Sequence, residues 1–287
     1  MSTLQFILEN TTLDRTDARV ILCHLIEKHF SWPRTALLSR NTEILNPFFI
    51  EEWRDLERRR LFGEPVAYLI GMRPFHAIEL RVNPSVLIPR PETELLVDIA
   101  LERINELRCK HPTKKIRLLD LGTGSGAIAL ALAHADPEIE IHATDISFEA
   151  LKTAQENARY LNLYEQVEFH LGSWYEALDL SDTKQFDVIL SNPPYIHPAD
   201  PHLNQGDLRF EPVAALSDQV NGLNCIEVIL KDCLQYLSPG GSIAIEHGFE
   251  QAASVSSLMA QNGLLAVHHF ADLAGHPRVT SACSPTL

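Results

Sequence analysis

Apolar positions recur at two periods along this chain, and the change of period divides it. In residues 1–74 they fall three and four apart: Ala18, Ile21, Leu22, Leu25 and Ile26 form one stripe, and Phe49, Trp53 and Leu56 another. That spacing predicts a packed cap of amphipathic helices. Asp14 is placed to cap the first helix, and Ser31-Trp32-Pro33 breaks the pattern after it. The second follows Asn46-Pro47 and can end on Gly63 as its C′ residue. From residue 116 onward, short apolar runs alternate with helical stretches, which predicts a doubly wound α/β sheet. Strands are expected at 116–121, 139–145, 167–171, 186–191 and 242–246. Helices are expected at 126–134, after the cap residue Ser147, and at about 223–237, where Ser238-Pro239-Gly240-Gly241 stops the last. Two final runs near 265–270 and 278–283 predict a closing hairpin.

Residues 75–82 alternate between apolar and polar and read as a short hairpin. After it, Pro89-Arg90-Pro91-Glu92-Thr93-Glu94 reads as a stiff loop with a helix starting near Glu92. A plain linker explains the prolines but not Arg90, Glu92 and Glu94 beside an apolar strand, so the loop is expected to line a site. The resulting division is a helical substrate-docking domain at 1–74, a hairpin and linker at 75–90, and a sheet domain at 91–287.

Composition narrows the partners. The chain is 45% hydrophobic and 22% charged, an ordinary soluble balance. Its net charge of −14 is uneven: residues 1–74 hold ten basic and ten acidic side chains, so the whole excess lies beyond them. Affinity for free nucleic acid comes chiefly from neutralising phosphates, so no free nucleic-acid substrate is expected, and a basic protein partner fits better. No apolar run approaches the ~20 residues that cross a bilayer. The N-terminus shows no basic region followed by an apolar stretch, and a cytoplasmic monomer is expected. Cys23, Cys109, Cys225, Cys233 and Cys283 are scattered and read as reduced thiols. His197, Asp200, His202 and Asp207 lack regular ligand spacing, so no metal is expected.

Two strand ends carry the chemistry. Gly122-Thr123-Gly124-Ser125-Gly126 follows the first strand of the sheet and opens a helix, where glycines let a backbone approach a ligand closely. Asp145 ends the next strand, 23 positions after Gly122, and can accept from ribose hydroxyls. Gly122, Gly124 and Ala127 also satisfy the dinucleotide pattern G-x-G-x-x-A, so these glycines admit S-adenosylmethionine or a nicotinamide cofactor. Trp174 can cover an adenine face, though a core tryptophan is the plain alternative. Asn192-Pro193-Pro194-Tyr195, after the strand at 186–191, separates the two cofactors. Its prolines cannot extend a sheet. Its Asn192 side chain and Pro193 carbonyl can accept from a planar NH2 group, with Tyr195 as a ring against it. Methyl transfer to nitrogen has a use for such a turn, and hydride transfer has none.

Taken together, Gly63-Glu64-Pro65-Val66-Ala67-Tyr68, Pro89 to Glu94, the glycine loop, Asn192 to Tyr195, Phe210-Glu211-Pro212, and Asp272 with Gly275 and Arg278 resemble the HemK-type release factor glutamine N5-methyltransferase family. The match covers nearly the whole chain. The Asn-Pro-Pro-Tyr turn alone is shared with amino-methyltransferases of adenine and guanine. Joined to Pro-Arg-Pro-Glu-Thr-Glu and a helical N-terminal domain, it is far more specific. The resemblance implies a doubly wound, seven-stranded, Rossmann-like class I methyltransferase domain behind an N-terminal helical domain. It implies S-adenosyl-L-methionine as donor, S-adenosyl-L-homocysteine as product, and the glutamine of the Gly-Gly-Gln loop of class 1 peptide chain release factors as acceptor. Gly122, Thr123, Gly124, Ser125, Gly126, Asp145, Trp174 and Asn192 would contact the cofactor. Asn192, Pro193, Pro194 and Tyr195 would hold the glutamine, with Asn192, Pro193 and Tyr195 catalytic. Ser173 stands where the family more often has an aspartate that accepts from the adenine amine, and a neutral hydroxyl accepts more weakly.

Three rivals remain at this point. An amino-methyltransferase of DNA or RNA shares the turn, but an evident basic target-recognition segment is missing here. A non-catalytic cofactor-binding module on the translation machinery leaves an intact acceptor turn unexplained. A nicotinamide oxidoreductase is separable by its cofactor.

Overall fold

The computed structural model describes residues 2–178 and 185–286. The chain separates into two compact units, one running to Met72 with Gln205–Phe210 added, the other comprising Arg73–Asn204 and Glu211–Leu287. Among the described residues, no helix is long and apolar enough to cross a membrane.

The smaller unit is helical: α1 (Leu4–Asn10), α2 (Arg15–Phe30), α3 (Ala36–Ser39), α4 (Pro47–Leu61) and α5 (Val66–Ile70). Asp14 caps α2 by accepting from the Thr16 N–H at 2.8 Å, and Asn46 caps α4 by accepting from the Phe49 N–H at 2.8 Å. Gly63 follows α4 with φ 97°, a conformation that suits a residue without Cβ. The two expected stripes meet in one core, with Ile21, Leu22, Leu25, Ile26 and Phe49 fully buried and Trp53 nearly so. The inserted segment 205–210 is bound to this unit by charge. Arg60 Nη1 donates to Asp207 Oδ1 at 2.9 Å while its Nε donates to Asp17 Oδ2 at 2.6 Å.

The larger unit opens with a hairpin, β1 (Met72–Phe75) and β2 (Ile78–Arg81), then α6 (Glu94–Lys110) after a 3-10 turn at Pro91–Thr93. Beyond these run β3 (Arg117–Leu121), α7 (Ala127–Ala135), β4 (Glu140–Asp145), α8 (Phe148–Tyr160), β5 (Val167–Leu171) and β6 (Phe186–Ser191). The chain ends with α9 (Val213–Leu216), α10 (Asn224–Tyr236), β7 (Leu237–Glu246), α11 (Ala252–Gln261), β8 (Leu265–Ala271) and β9 (Pro277–Cys283). The sheet has seven strands in the order β5-β4-β3-β6-β7-β9-β8. The first five pair in parallel, and β9 pairs antiparallel with both β7 and β8. Residues of β3 and β6 are buried along their whole length, as strands covered by helices on both faces must be.

One boundary differs from expectation. The segment Ser238-Pro239-Gly240-Gly241 does not merely stop α10 but belongs to β7, where the register on β6 shifts between the Phe186–Leu237 and Val188–Ser242 pairs. A proline without an N–H and a Gly240 at φ 72° make that interruption.

Asn157, fully buried on α8, ties hairpin, helix and glycine loop together. Its Oδ1 accepts from the Arg81 N–H at 2.7 Å, and its Nδ2 donates to the Arg81 and Ser125 carbonyls at 2.9 Å each. At about 1 kcal/mol per satisfied bond, Asn157→Ala is expected to cost ~3 kcal/mol of stability. Urea unfolding should show this as a lower midpoint with an unchanged slope.

Candidate functional site

The sheet order reverses between β3 and β6: the chain winds outward through β3, β4 and β5, then returns to the other side of β3. Ligands of open α/β sheets bind outside the carboxyl ends of strands at such a switch point. Leu121 and Ser191, the last residues of β3 and β6, are register partners, and the Ser191 hydroxyl donates to the Leu121 carbonyl at 2.8 Å. The loops that begin at Gly122 and Asn192 therefore start side by side.

Gly122 and Gly124 both have positive φ, 74° and 57°. A Cβ on Gly122 would stand 3.2 Å from the Trp174 ring, so the glycine is what lets that ring lie against the loop. Trp174 itself has φ 44°, an unfavourable backbone for a bulky residue. Gly126 plays a different part. Its Cβ would stand 2.9 Å from Leu130 and 3.2 Å from Ala154, so it allows α7 to pack against α8.

Asp145 organises the loop between β3 and α7. Its Oδ2 accepts from the Gly124 N–H and its Oδ1 from the Ser147 N–H, both at 2.8 Å. Each oxygen keeps a further lone pair for a hydroxyl. Burial raises its pKa against the pull of those two N–H groups. Asp120, inside β3 and outside the cavity lining, is fully buried and pushed up to about 7 by that burial. The Thr123 hydroxyl donates to its Oδ2 at 2.7 Å, while Oδ1 has no hydrogen-bond partner.

A cavity of about 470 Å³ unites these parts, a size that suits a nucleoside-containing ligand. Gly122, Thr123, Gly124, Ser125, Asp145, Ser173, Trp174, Asn192 and Pro194 line it. Gly126, Pro193 and Tyr195 are outside that lining. Gly126 faces helix packing, Pro193 is buried, and the Tyr195 hydroxyl turns inward to Glu246 Oε1 at 3.1 Å. The loop before α6 contributes apolar and small residues, among them Val86, Leu87, Pro89 and Thr93. The charged residues expected to line the site there are not among them. Arg90 donates to buried Glu211, which also accepts the Ile88 N–H at 2.9 Å, and Glu94 accepts the His76 N–H of the hairpin turn at 3.0 Å. Protein partners already satisfy Arg90 and Glu94, which is why these two brace the loop instead of facing the cavity, and Glu92 is likewise outside the lining.

Asn192 Nδ2 donates to Thr93 Oγ1 at 3.0 Å, and among the described residues nothing hydrogen-bonds its Oδ1. An acceptor oxygen is thus available at the cavity beside the glycine loop. Behind the turn, Glu246 at the end of β7 is 1% exposed. Burial pushes it up to about 7, opposed by the hydrogen bond from Tyr195 and the charge of Arg278. Burial also drives the Tyr195 phenol well above its ordinary range. Thr93 and Glu246 were not nominated from the sequence. Thr93 lay within a motif read for its charges, and Glu246 read as a strand end.

The loop histidines serve local structure, His202 pairing with Asp200 at 2.7 Å and His197 Nδ1 accepting the Ala199 N–H at 3.1 Å. Among the described residues, one other group of possible ligands comes together, His142, Glu168 and His170. Its two imidazoles already hydrogen-bond each other at 3.0 Å.

Comparison with known proteins agrees with this geometry. A methyltransferase from Pyrococcus furiosus superposes with a TM-score of 0.53 at 16% identity, covering 81% of this chain and 99% of that one. The hMettl16 catalytic domain, solved with a MAT2A 3′UTR hairpin, gives 0.56 at 16% identity over 81% and 84% of the two chains. At such identity these establish the fold. Residues 112–280 match the family described as a methyltransferase domain, and residues 4–71 match the PrmC N-terminal domain. Fold, switch-point loop and domain match define an α/β class I methyltransferase. Release factor glutamine methyltransferase from Neisseria gonorrhoeae is 44% identical, covering 93% of either chain, and that from Bordetella pertussis is 43% identical, covering 98% of either. This chain belongs to the release factor glutamine methyltransferase family.

Asp145→Ala is expected to weaken S-adenosylmethionine binding at least ~10-fold, since it removes a charged acceptor. Calorimetry that returned an unchanged affinity would take Asp145 out of the cofactor site. Ser173→Asp is expected to tighten the same affinity by about 5-fold, because an ionised acceptor bonds roughly twice as strongly.

Proposed function

We propose that this protein transfers a methyl group from S-adenosyl-L-methionine to the side-chain amide nitrogen, N5, of the glutamine in the Gly-Gly-Gln loop of class 1 peptide chain release factors. One observation carries the reading: in a chain of this family, the glycine loop, Asp145 and the free Asn192 oxygen share one cavity at the switch point. The fit of the donor rests on three features. The loop glycines leave their backbone open, Asp145 retains acceptor capacity, and the Trp174 ring lies against Gly122 in the same cavity. When bound, S-adenosyl-L-methionine supplies an electrophilic methyl group and leaves as S-adenosyl-L-homocysteine.

Gly122 to Gly126, Asp145, Trp174 and Asn192 hold the donor, Gly126 acting through the helix packing that shapes the loop. Asn192, Pro193, Pro194 and Tyr195 hold the glutamine. A carboxamide nitrogen is a poor nucleophile because its lone pair is delocalised into the carbonyl. Asn192 Oδ1 and the Pro193 carbonyl, both acceptors, take the two amide hydrogens and favour pyramidal nitrogen. They also stabilise the positive charge that develops there, with the polarity of an oxyanion hole reversed. Tyr195 stiffens the turn through its bond to Glu246 and excludes water. The amide proton leaves to solvent after transfer, so no strong general base is needed.

Residues 1–74 are suited to docking a protein substrate, and the acidic excess beyond them suits a basic partner. The same charge disfavours free nucleic acid. The protein acts in the cytoplasm, as a monomer, without a metal.

Asn192→Ala is expected to lower kcat at least ~10²-fold, as loss of one preorganised polar group does elsewhere. Circular dichroism should report an intact fold. The direct test is a peptide map of a class 1 release factor incubated with enzyme and S-adenosylmethionine. One added methyl on the Gly-Gly-Gln glutamine supports the reading, and modification of nucleic acid instead would overturn it.

A further inference from the structure

We propose that Gln251 is a positioning residue: its side-chain amide ties the outgoing end of the turn at 192–195 to a loop that walls the cavity, and so holds Asn192 Oδ1 and the Pro193 carbonyl in place. This inference rests on the functional reading above and deepens it.

The turn has few means of fixing itself. Pro193 and Pro194 have no N–H to donate, and the Pro193 carbonyl is kept for the acceptor amide. The incoming end is held by β6, and the Asn192 side chain by Thr93. The outgoing end needs a partner that donates to carbonyls. Gln251, the residue before α11, is that partner. Its Nε2 donates to the Tyr195 carbonyl at 3.1 Å and to the Gly222 carbonyl at 3.0 Å, while its Oε1 accepts from the Gly248 N–H at 2.8 Å. Both hydrogens of the amide are thereby spent, and flipping it would set Oε1 against two carbonyl oxygens. Tyr195 is consequently held twice, by its carbonyl on Gln251 and by its hydroxyl on Glu246 Oε1 at 3.1 Å.

The other side of the clamp is firm. Asp218 Oδ1 accepts from the Val220 and Gly222 N–H groups at 2.9 Å each, and Oδ2 from the Asn224 N–H at 2.7 Å. Ser217, Asp218 and Gln219, from the same loop, line the cavity. A second tie runs from the Ile196 N–H to the Leu216 carbonyl at 2.9 Å. Gly222 has φ 79°, and a Cβ there would stand 2.7 Å from the Tyr195 carbonyl oxygen. Loop and turn therefore meet closely enough to require a glycine, and the Gln251 NH2 group bridges their two carbonyls.

A purely local role for Gln251 would be to close the turn at Gly248 ahead of α11. Gln251→Glu separates the two roles. A carboxylate of the same shape still accepts from the Gly248 N–H and suits the N-terminus of α11, but it has no hydrogen for either carbonyl. The expected result is a kcat lowered ~10-fold or more, because small misplacements of reacting groups are costly. KM for S-adenosylmethionine should be little changed, since Gly122, Gly124 and Asp145 are left as they are, and the urea midpoint should stay close to that of wild type. Hydrogen exchange at the Ile196 amide, read by mass spectrometry of a peptide spanning the turn, should quicken. Gln251→Met, which has no donor either, carries the same test if the glutamate variant does not fold. A wild-type enzyme that leaves the release factor glutamine unmodified overturns the functional reading and this inference with it. A wild-type enzyme that methylates, beside a folded variant with unchanged kcat or unchanged Ile196 exchange, overturns this inference alone.

Discussion

The site depends on the contact of two strand ends. Leu121 and Ser191 are neighbours in register, joined further by the Ser191 hydroxyl on the Leu121 carbonyl. Everything chemical is hung from the residues that follow them. Because side chains alternate along a strand, a slip of one residue would send each of them to the opposite face and misplace both loops. Burial of β3 and β6 on both faces makes the register costly to change. The geometry proposed for nitrogen methylation is thus underwritten by ordinary hydrophobic packing.

Several polar residues near this junction do two things at once. Asp145 fixes the glycine loop with its backbone bonds and keeps lone pairs for a ligand. Glu211 neutralises Arg90 and binds the Ile88 N–H, making a proline-rich loop behave as a wall. Glu246 and Asp120 are buried carboxyls with raised pKa values of about 7. A carboxyl whose folded pKa exceeds its unfolded one contributes stability at low pH and loses it as pH rises through the folded value. These two therefore make the fold less stable as they ionise, a local conflict of the kind expected near functional sites.

Much of this architecture could be read from residue order, because it rests on periodicity and local caps. The stripe of α2, the Asp14 and Ser147 caps, the parallel strands and the closing hairpin all carry short-range signals. The glycine loop and the Asn192 turn were legible for the same reason. What escaped depends on the meeting of distant segments. Asn157 looks like a polar position on a helix surface and proves to be a buried three-way tie. Thr93 meets Asn192, and Glu246 meets Tyr195, only in three dimensions. Arg90 and Glu94 were conspicuous by charge and so drew a reading as site residues, whereas charge here marked internal bracing. The bulge at Ser238–Gly241 was hidden because proline and glycine signal interruption without saying whether a strand resumes in the same register.

The pairing of Trp174 with Gly122 has an evolutionary corollary. The indole occupies the volume that any larger residue at 122 would claim, and it does so from a left-handed backbone that glycine would adopt more cheaply. Position 122 is not free to drift by itself. A side chain at 122 would crowd the aromatic ring, whereas losing the ring would remove only the steric part of the demand for glycine, since the left-handed backbone of Gly122 remains. The dependence is therefore one-sided, and homologues with a larger residue at 122 are the places to look for replacement of the tryptophan.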